Sequence, residues 1–107
     1  MDHFVEKLDD ITRTFKDIES QLSDPEIVTD QSRLKVLART RRQLEPTISV
    51  YQEWQKVQKD IEEWQAFIRD TQDKDERLQF ETELEQSRQR DEELVEELKV
   101  LLLPRDL

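Results

Sequence analysis

Large apolar side chains fall at Met1, Phe4, Leu8, Ile11, Phe15, Ile18 and Leu22, at steps of three and four without a break. That spacing is the a/d seam of a heptad, an apolar stripe along one face of a helix. It predicts a first helix over about residues 2–21. The pattern lapses at "SDPEIVTD", where Pro25 cannot continue an incoming helix and Ser23, Asp24, Thr29 and Asp30 supply capping side chains. A connector of about seven residues is expected there.

A second stripe runs through Leu34, Leu37, Arg41, Leu44, Ile48, Tyr51, Trp54, Val57, Ile61, Trp64 and Ile68. From Ile48 to Val57 every step is three, an insertion that overwinds the heptad locally. The slip falls beside Pro46, whose ring removes one helical hydrogen bond and crowds the carbonyl four residues earlier. One long helix over about residues 30–70, kinked near Pro46, is favoured over two helices meeting there, because "LEPTI" holds no glycine or turn cluster to reverse the chain. The polar stretch "DTQDKDE" is the next break. A third helix, over about residues 74–103, then carries Phe80, Leu84, Leu94, Leu98 and Leu101 in one register, with Ser87 and Asp91 at the two middle seam positions. Pro104 ends it.

Short connections make neighbouring helices antiparallel. The expected fold is therefore all-α, an antiparallel three-helix bundle with coiled-coil-like seams. Folding back at the first connector sets Phe15 near Leu37, Leu8 near Leu44 and Phe4 near Ile48. Folding back at the second sets Phe80 near Trp64, and the three helices are expected to meet around Pro46. Leu101 falls on the seam, whereas Leu102 and Leu103 lie off it, so one of them is expected to be left over.

Composition narrows the alternatives. Glycine is absent from the 107 residues, where an average chain would carry about seven. Left-handed turns and tight hairpins are correspondingly disfavoured. Charged residues make up 41 % and the formal net charge is −10, values close to those of disordered chains; the unbroken seams argue for helices instead. With no cysteine there is no disulfide, thiolate metal site or cysteine nucleophile, and a reducing, cytoplasmic setting is compatible. The start "MDHFVEKLDD" has neither the basic region nor the apolar core of a signal peptide. Val100 to Leu103, the longest apolar run, is far short of the roughly 20 residues that span a bilayer. A soluble protein is expected.

The candidate chemistry is sparse. His3 stands alone in a first helical turn and reads as a surface residue rather than a ligand. Carboxylates abound, yet general acid/base work needs a pocket that shifts their pKa values, which narrow bundles rarely supply. No enzymatic activity, cofactor, metal or small-molecule substrate is expected. Trp54 and Trp64 read as seam residues. The one distinctive stretch lies between Gln31 and Leu44, where Arg33, Lys35, Arg39, Arg41 and Arg42 occur with no acidic residue among them. It fits a phosphate backbone or an acidic partner. The plainer reading is internal screening of the third helix, whose Asp73 to Glu97 segment holds eleven acidic and four basic residues. Arg41 occupies a seam position and must snorkel out or find a carboxylate.

Three stretches, "LSDPEIVTD", "LEPTISVYQEW" and the closing "LLLPRDL", occur in an order and at a spacing that resemble the N-terminal helical domain of bacterial class I peptide chain release factors, the release factor 1 branch more than release factor 2. The last resembles that family's Leu-Leu-Leu-Pro-(Lys/Arg)-Asp-Pro, with Leu107 in place of the final proline. The resemblance covers the entire chain. It implies a module acting in translation termination at the stop codons UAA and UAG on the ribosome. Members read the codon with a Pro-x-Thr-type tripeptide and hydrolyse peptidyl-tRNA with a Gly-Gly-Gln motif. Neither is present here, so the implied role is positioning and partner contact, with the large-subunit stalk base and the class II release factor GTPase as implied partners. Since the family continues beyond this motif into its ribosome-binding core, the chain is expected to be a fragment, with a natural truncated relative as the other reading. A monomer is expected; a stand-alone coiled-coil protein forming homo-oligomers is the alternative from the residues alone.

Overall fold

The computed structural model describes residues 2–104. Met1 of the first seam and Arg105, Asp106 and Leu107 of the closing motif lie outside the described residues. Four helices occur in order: α1 (Asp2–Leu22), α2 (Pro25–Val28), α3 (Gln31–Asp70) and α4 (Lys74–Leu101). Among the described residues there is no strand, and the architecture is an all-α helical bundle.

The helix boundaries follow from caps. Asp24 accepts a hydrogen bond from the Glu26 N–H at 3.0 Å, and Pro25 takes the first helical position, where its missing N–H costs nothing. The connector thus contains a one-turn helix that the three-helix reading did not include. Pro25, read as a stop for the incoming helix, also starts the next one. Asp30 caps α3 through the Arg33 N–H at 3.2 Å. Asp73 caps α4 by accepting from the N–H groups of Asp75 and Glu76 at 2.9 and 3.3 Å. Asp75 and Glu76 then add negative charge at the positive end of the α4 dipole. At its other end α4 stops at Leu101, with Leu102 as C-cap, two residues short of the expected end at 103. The crowding of Pro104 against the residue before it disfavours helical geometry there, and with no further turn beyond to hold it the helix ends earlier.

α3 is continuous for 40 residues with Pro46 inside it. The chain does not reverse at Pro46. Its ring is exposed while Thr47 and Ile48 beside it are buried, so the unbonded carbonyl one turn earlier lies on the wet side of the helix, where water can satisfy it.

Two compact units can be distinguished, Met1–Ser49 and Val50–Leu107. In the first, α1 and α2 pack with the opening of α3 around Leu8, Phe15, Ile18, Ile27 and Ile48. Arg41 lies over the Phe15 ring at 5.0 Å from its centroid. In the second unit the remainder of α3 and α4 form a helical hairpin. Trp54 meets Asp91 and Trp64 meets Phe80, pairs that advance in opposite directions along the two helices, so the hairpin is antiparallel. Tyr51, Val57, Leu94 and Leu98 are its buried residues, the two leucines with no exposed surface at all. From Gln58 to Glu93 no residue is buried.

Candidate functional site

The five basic residues of the opening of α3 occupy three different environments. Lys35, Arg39 and Arg42 follow at steps of four and three, so they share one face. All three are exposed. Arg33 is also exposed and lines a shallow groove with Gln21, Val36 and Leu37, between the end of α1 and the start of α3. Among the described residues none of these four side chains pairs with a carboxylate. Each cation on this surface is available to a partner.

Arg41 differs. From its seam position its guanidinium reaches Glu19 of α1 at 3.1 Å and Glu45, one turn on, at 3.4 Å, while its flat face rests on Phe15. A half-buried cation is accommodated here by two carboxylates and an aromatic ring. The requirement that it find a carboxylate is met within the first unit, and Arg41 is a brace between α1 and α3.

The seam of the hairpin holds polar contacts that the residue pattern alone did not specify. Asp91, on the α4 seam, accepts a hydrogen bond from the Trp54 indole N–H at 2.7 Å. Tyr51 and Trp54 stack with centroids 5.9 Å apart. Beside them Arg90 grips Glu53 with two bonds, Nε to Oε2 at 2.7 Å and Nη2 to Oε1 at 3.0 Å, and donates to Glu93 at 3.2 Å. The hydrogen bonds from Arg90 hold the Glu53 carboxyl below its usual pKa, against a smaller opposing effect of burial, and the same bonds make the guanidinium harder to deprotonate. The available sequence signal was a polar seam position on α4 facing tryptophan, a seam residue with one donor to satisfy.

Beyond these, the polar side chains give no hint of chemistry. His3 is exposed and lies beside Glu6. Among the described residues no group of three or more His, Cys, Asp or Glu is arranged to hold a metal ion, and no helix is long and apolar enough to cross a membrane.

The comparisons with known proteins match this sequence to one family. The model of the PCRF domain matches residues 11–107. The chain is similar to peptide chain release factor 1 of Chlorobaculum tepidum, 36 % identical over 101 residues covering 94 % of this chain and 28 % of that protein. Similar figures hold for peptide chain release factor 1 of Solidesulfovibrio magneticus, 35 % over 100 residues, and of Thermobifida fusca, 36 % over 100 residues and 26 % of that protein. The chain thus spans about a quarter of the length of the curated relatives it matches. No solved structure matches. With a family model covering nine-tenths of its length and release factor 1 sequences aligning across the same span, the chain belongs to the PCRF domain family, as an N-terminal domain of the peptide chain release factor 1 type.

Proposed function

We propose that this chain is the N-terminal module of a peptide chain release factor acting in translation termination at UAA and UAG codons, and that it supplies positioning and partner contacts rather than hydrolysis. The family membership supports the first part. The absence of glycine supports the second, since no Gly-Gly-Gln tripeptide can be drawn from these residues. On this reading the module acts in the cytoplasm as a monomer, near the stalk base of the large ribosomal subunit, where the class II release factor GTPase is its second partner.

The observation that carries the contact assignment is the carboxylate-free stretch from Gln31 to Leu44, with Arg33, Lys35, Arg39 and Arg42 exposed and without a carboxylate partner among the described residues. In a chain of net charge −10, such a surface is where a phosphate backbone can approach. Arg41 supports it indirectly by fixing the helix that bears the other four. The test is co-sedimentation of the chain with ribosomes over a salt series, with the variant Arg33→Gln/Lys35→Gln/Arg39→Gln/Arg42→Gln beside it. Binding should weaken as salt rises, and the variant should bind about tenfold or more weakly with a shallower salt dependence. Equal binding of the two chains would remove these residues from the interface. Sedimentation of the chain alone distinguishes the homo-oligomeric coiled coil, which requires a dimer or larger species at tens of micromolar.

A further inference from the structure

The outer part of the α3–α4 hairpin has aromatic side chains but no buried core. Trp64, Phe67 and Phe80 form a closed trio, with centroids 5.7 Å apart for Trp64 and Phe67, 5.7 Å for Trp64 and Phe80, and 5.4 Å for Phe67 and Phe80. A hairpin of two helices can cover only one side of such a cluster. Phe67 is 46 % exposed, and Leu78 nearby in sequence is 62 % exposed. Shallow grooves flank Phe80 on both sides, one bounded by Phe67, Asp70 and Glu76, the other by Trp64 and Glu83. A clustered, solvent-facing aromatic surface of this kind is the informative exception among exposed apolar residues.

Its charge selects the occupant. From Asp60 to Glu83 there are nine acidic residues and three basic ones. Two of the three cations are engaged locally, Arg69 with Asp70 at 3.8 Å and Arg77 with the Thr71 carbonyl at 2.8 Å. Unstacked nucleobases favour aromatic platforms, but a phosphate backbone would have to lie against this excess of carboxylates. A second copy of the same acidic tip would be repelled in the same way. Arginine and lysine side chains suit both features, since cations are attracted to aromatic faces and carboxylates at the rim hold their N–H groups.

We propose that the tip of the α3–α4 hairpin is a docking surface for an arginine- and lysine-rich segment of a protein partner, whose cations lie on the Trp64–Phe67–Phe80 cluster between Asp70, Glu76 and Glu83. The proposal is independent of the contact assigned to the opening of α3 and of the role in termination. It concerns a surface of opposite charge in the other unit, and its test needs no ribosome.

The probe is a short peptide of alternating arginine and alanine, titrated into the full chain labelled with nitrogen-15, with oligouridylate as the second ligand. Peptide-induced shifts should concentrate at the Trp64 indole and at the amides of Phe67, Asp70, Glu76 and Phe80. Phe67→Ala should weaken peptide binding by about threefold to tenfold. Asp70→Asn/Glu76→Gln should weaken it more than Glu85→Gln/Glu92→Gln, which removes the same charge elsewhere on the acidic surface. These charge variants sit on exposed positions, so the comparison stands even if Phe67→Ala loosens the tip. Three results overturn the proposal: shifts spread evenly along α4, equal weakening by the two charge-matched double variants, or tighter binding of oligouridylate than of the peptide. Concentration-dependent shifts at the tip with no ligand present would replace it with self-association.

Discussion

The hydrogen bond between Trp54 and Asp91 is the contact whose worth can be worked out most directly. The indole N–H lies 2.7 Å from a carboxylate oxygen, and both side chains are half-buried on facing seams. A hydrogen bond to a charged acceptor contributes about 1.5–3 kcal/mol. Half-burial places this one at the lower end, about 1.5 kcal/mol. Asp91→Ala removes the acceptor and leaves the N–H without its partner; Trp54→Phe removes the donor while keeping a ring against Tyr51. The two single variants should each destabilise the chain. Together they should cost about 1–1.5 kcal/mol less than the sum of their separate effects. Urea unfolding followed by circular dichroism is the suitable assay, because Trp54→Phe removes a fluorophore. Asp91→Leu adds a direction-of-effect check, since it should destabilise with Trp54 present and stabilise in the Trp54→Phe background, where leucine simply completes the heptad. A coupling below about 0.3 kcal/mol would mean that water serves the indole as well as Asp91 does and that the bond does not stabilise the hairpin.

Other expectations follow from single features. Leu94→Ala empties a position with no exposed surface and should cost about 2–5 kcal/mol, seen as a lower denaturant midpoint. Pro46→Ala restores the missing N–H in an unbroken helix and should raise the melting temperature by several degrees; a fall would show that the proline itself is required for packing. Glu53 has a depressed pKa in the fold, so its pairing with Arg90 contributes stability above the ordinary glutamate pKa and loses it as pH falls through the depressed value. Melting curves of the parent and Glu53→Gln should therefore differ at neutral pH and converge in acid, and a difference that persists undiminished in acid would contradict the pairing.

The heptad pattern was informative because burial in a narrow bundle is decided almost entirely by helical face. Every described seam residue read from the sequence, including the unexpected Arg41, Ser87 and Asp91, is buried or half-buried, whereas Val36, Phe67, Leu78 and Val100, equally apolar but off the seam, are exposed. Leu103 is the leftover member of the closing aliphatic run at 63 % exposure, with Leu101 and Leu102 half-buried. The one-turn helix α2 escaped notice because four residues are too few to show a period, and its signal lay in capping by Asp24 and Pro25. The candidate site was legible only as a composition. That Arg33, Lys35, Arg39 and Arg42 are exposed while Arg41 is a brace depends on where Glu19 and Phe15 fall across the α1–α3 contact, which residue spacing along one helix does not reveal.

If this chain serves as the N-terminal domain of a release factor, it should replace that domain in a relative, and a domain exchange measures whether it does. The segment of Chlorobaculum tepidum release factor 1 that aligns with this chain would be replaced by these residues, and peptide release from ribosomes stalled at UAA measured against the parent factor and a factor lacking the domain. Release close to the parent's is expected, reduced toward the domain-deleted level when Arg33, Lys35, Arg39 and Arg42 are changed to glutamine. A folded chimera that performs no better than the domain-deleted factor would contradict it.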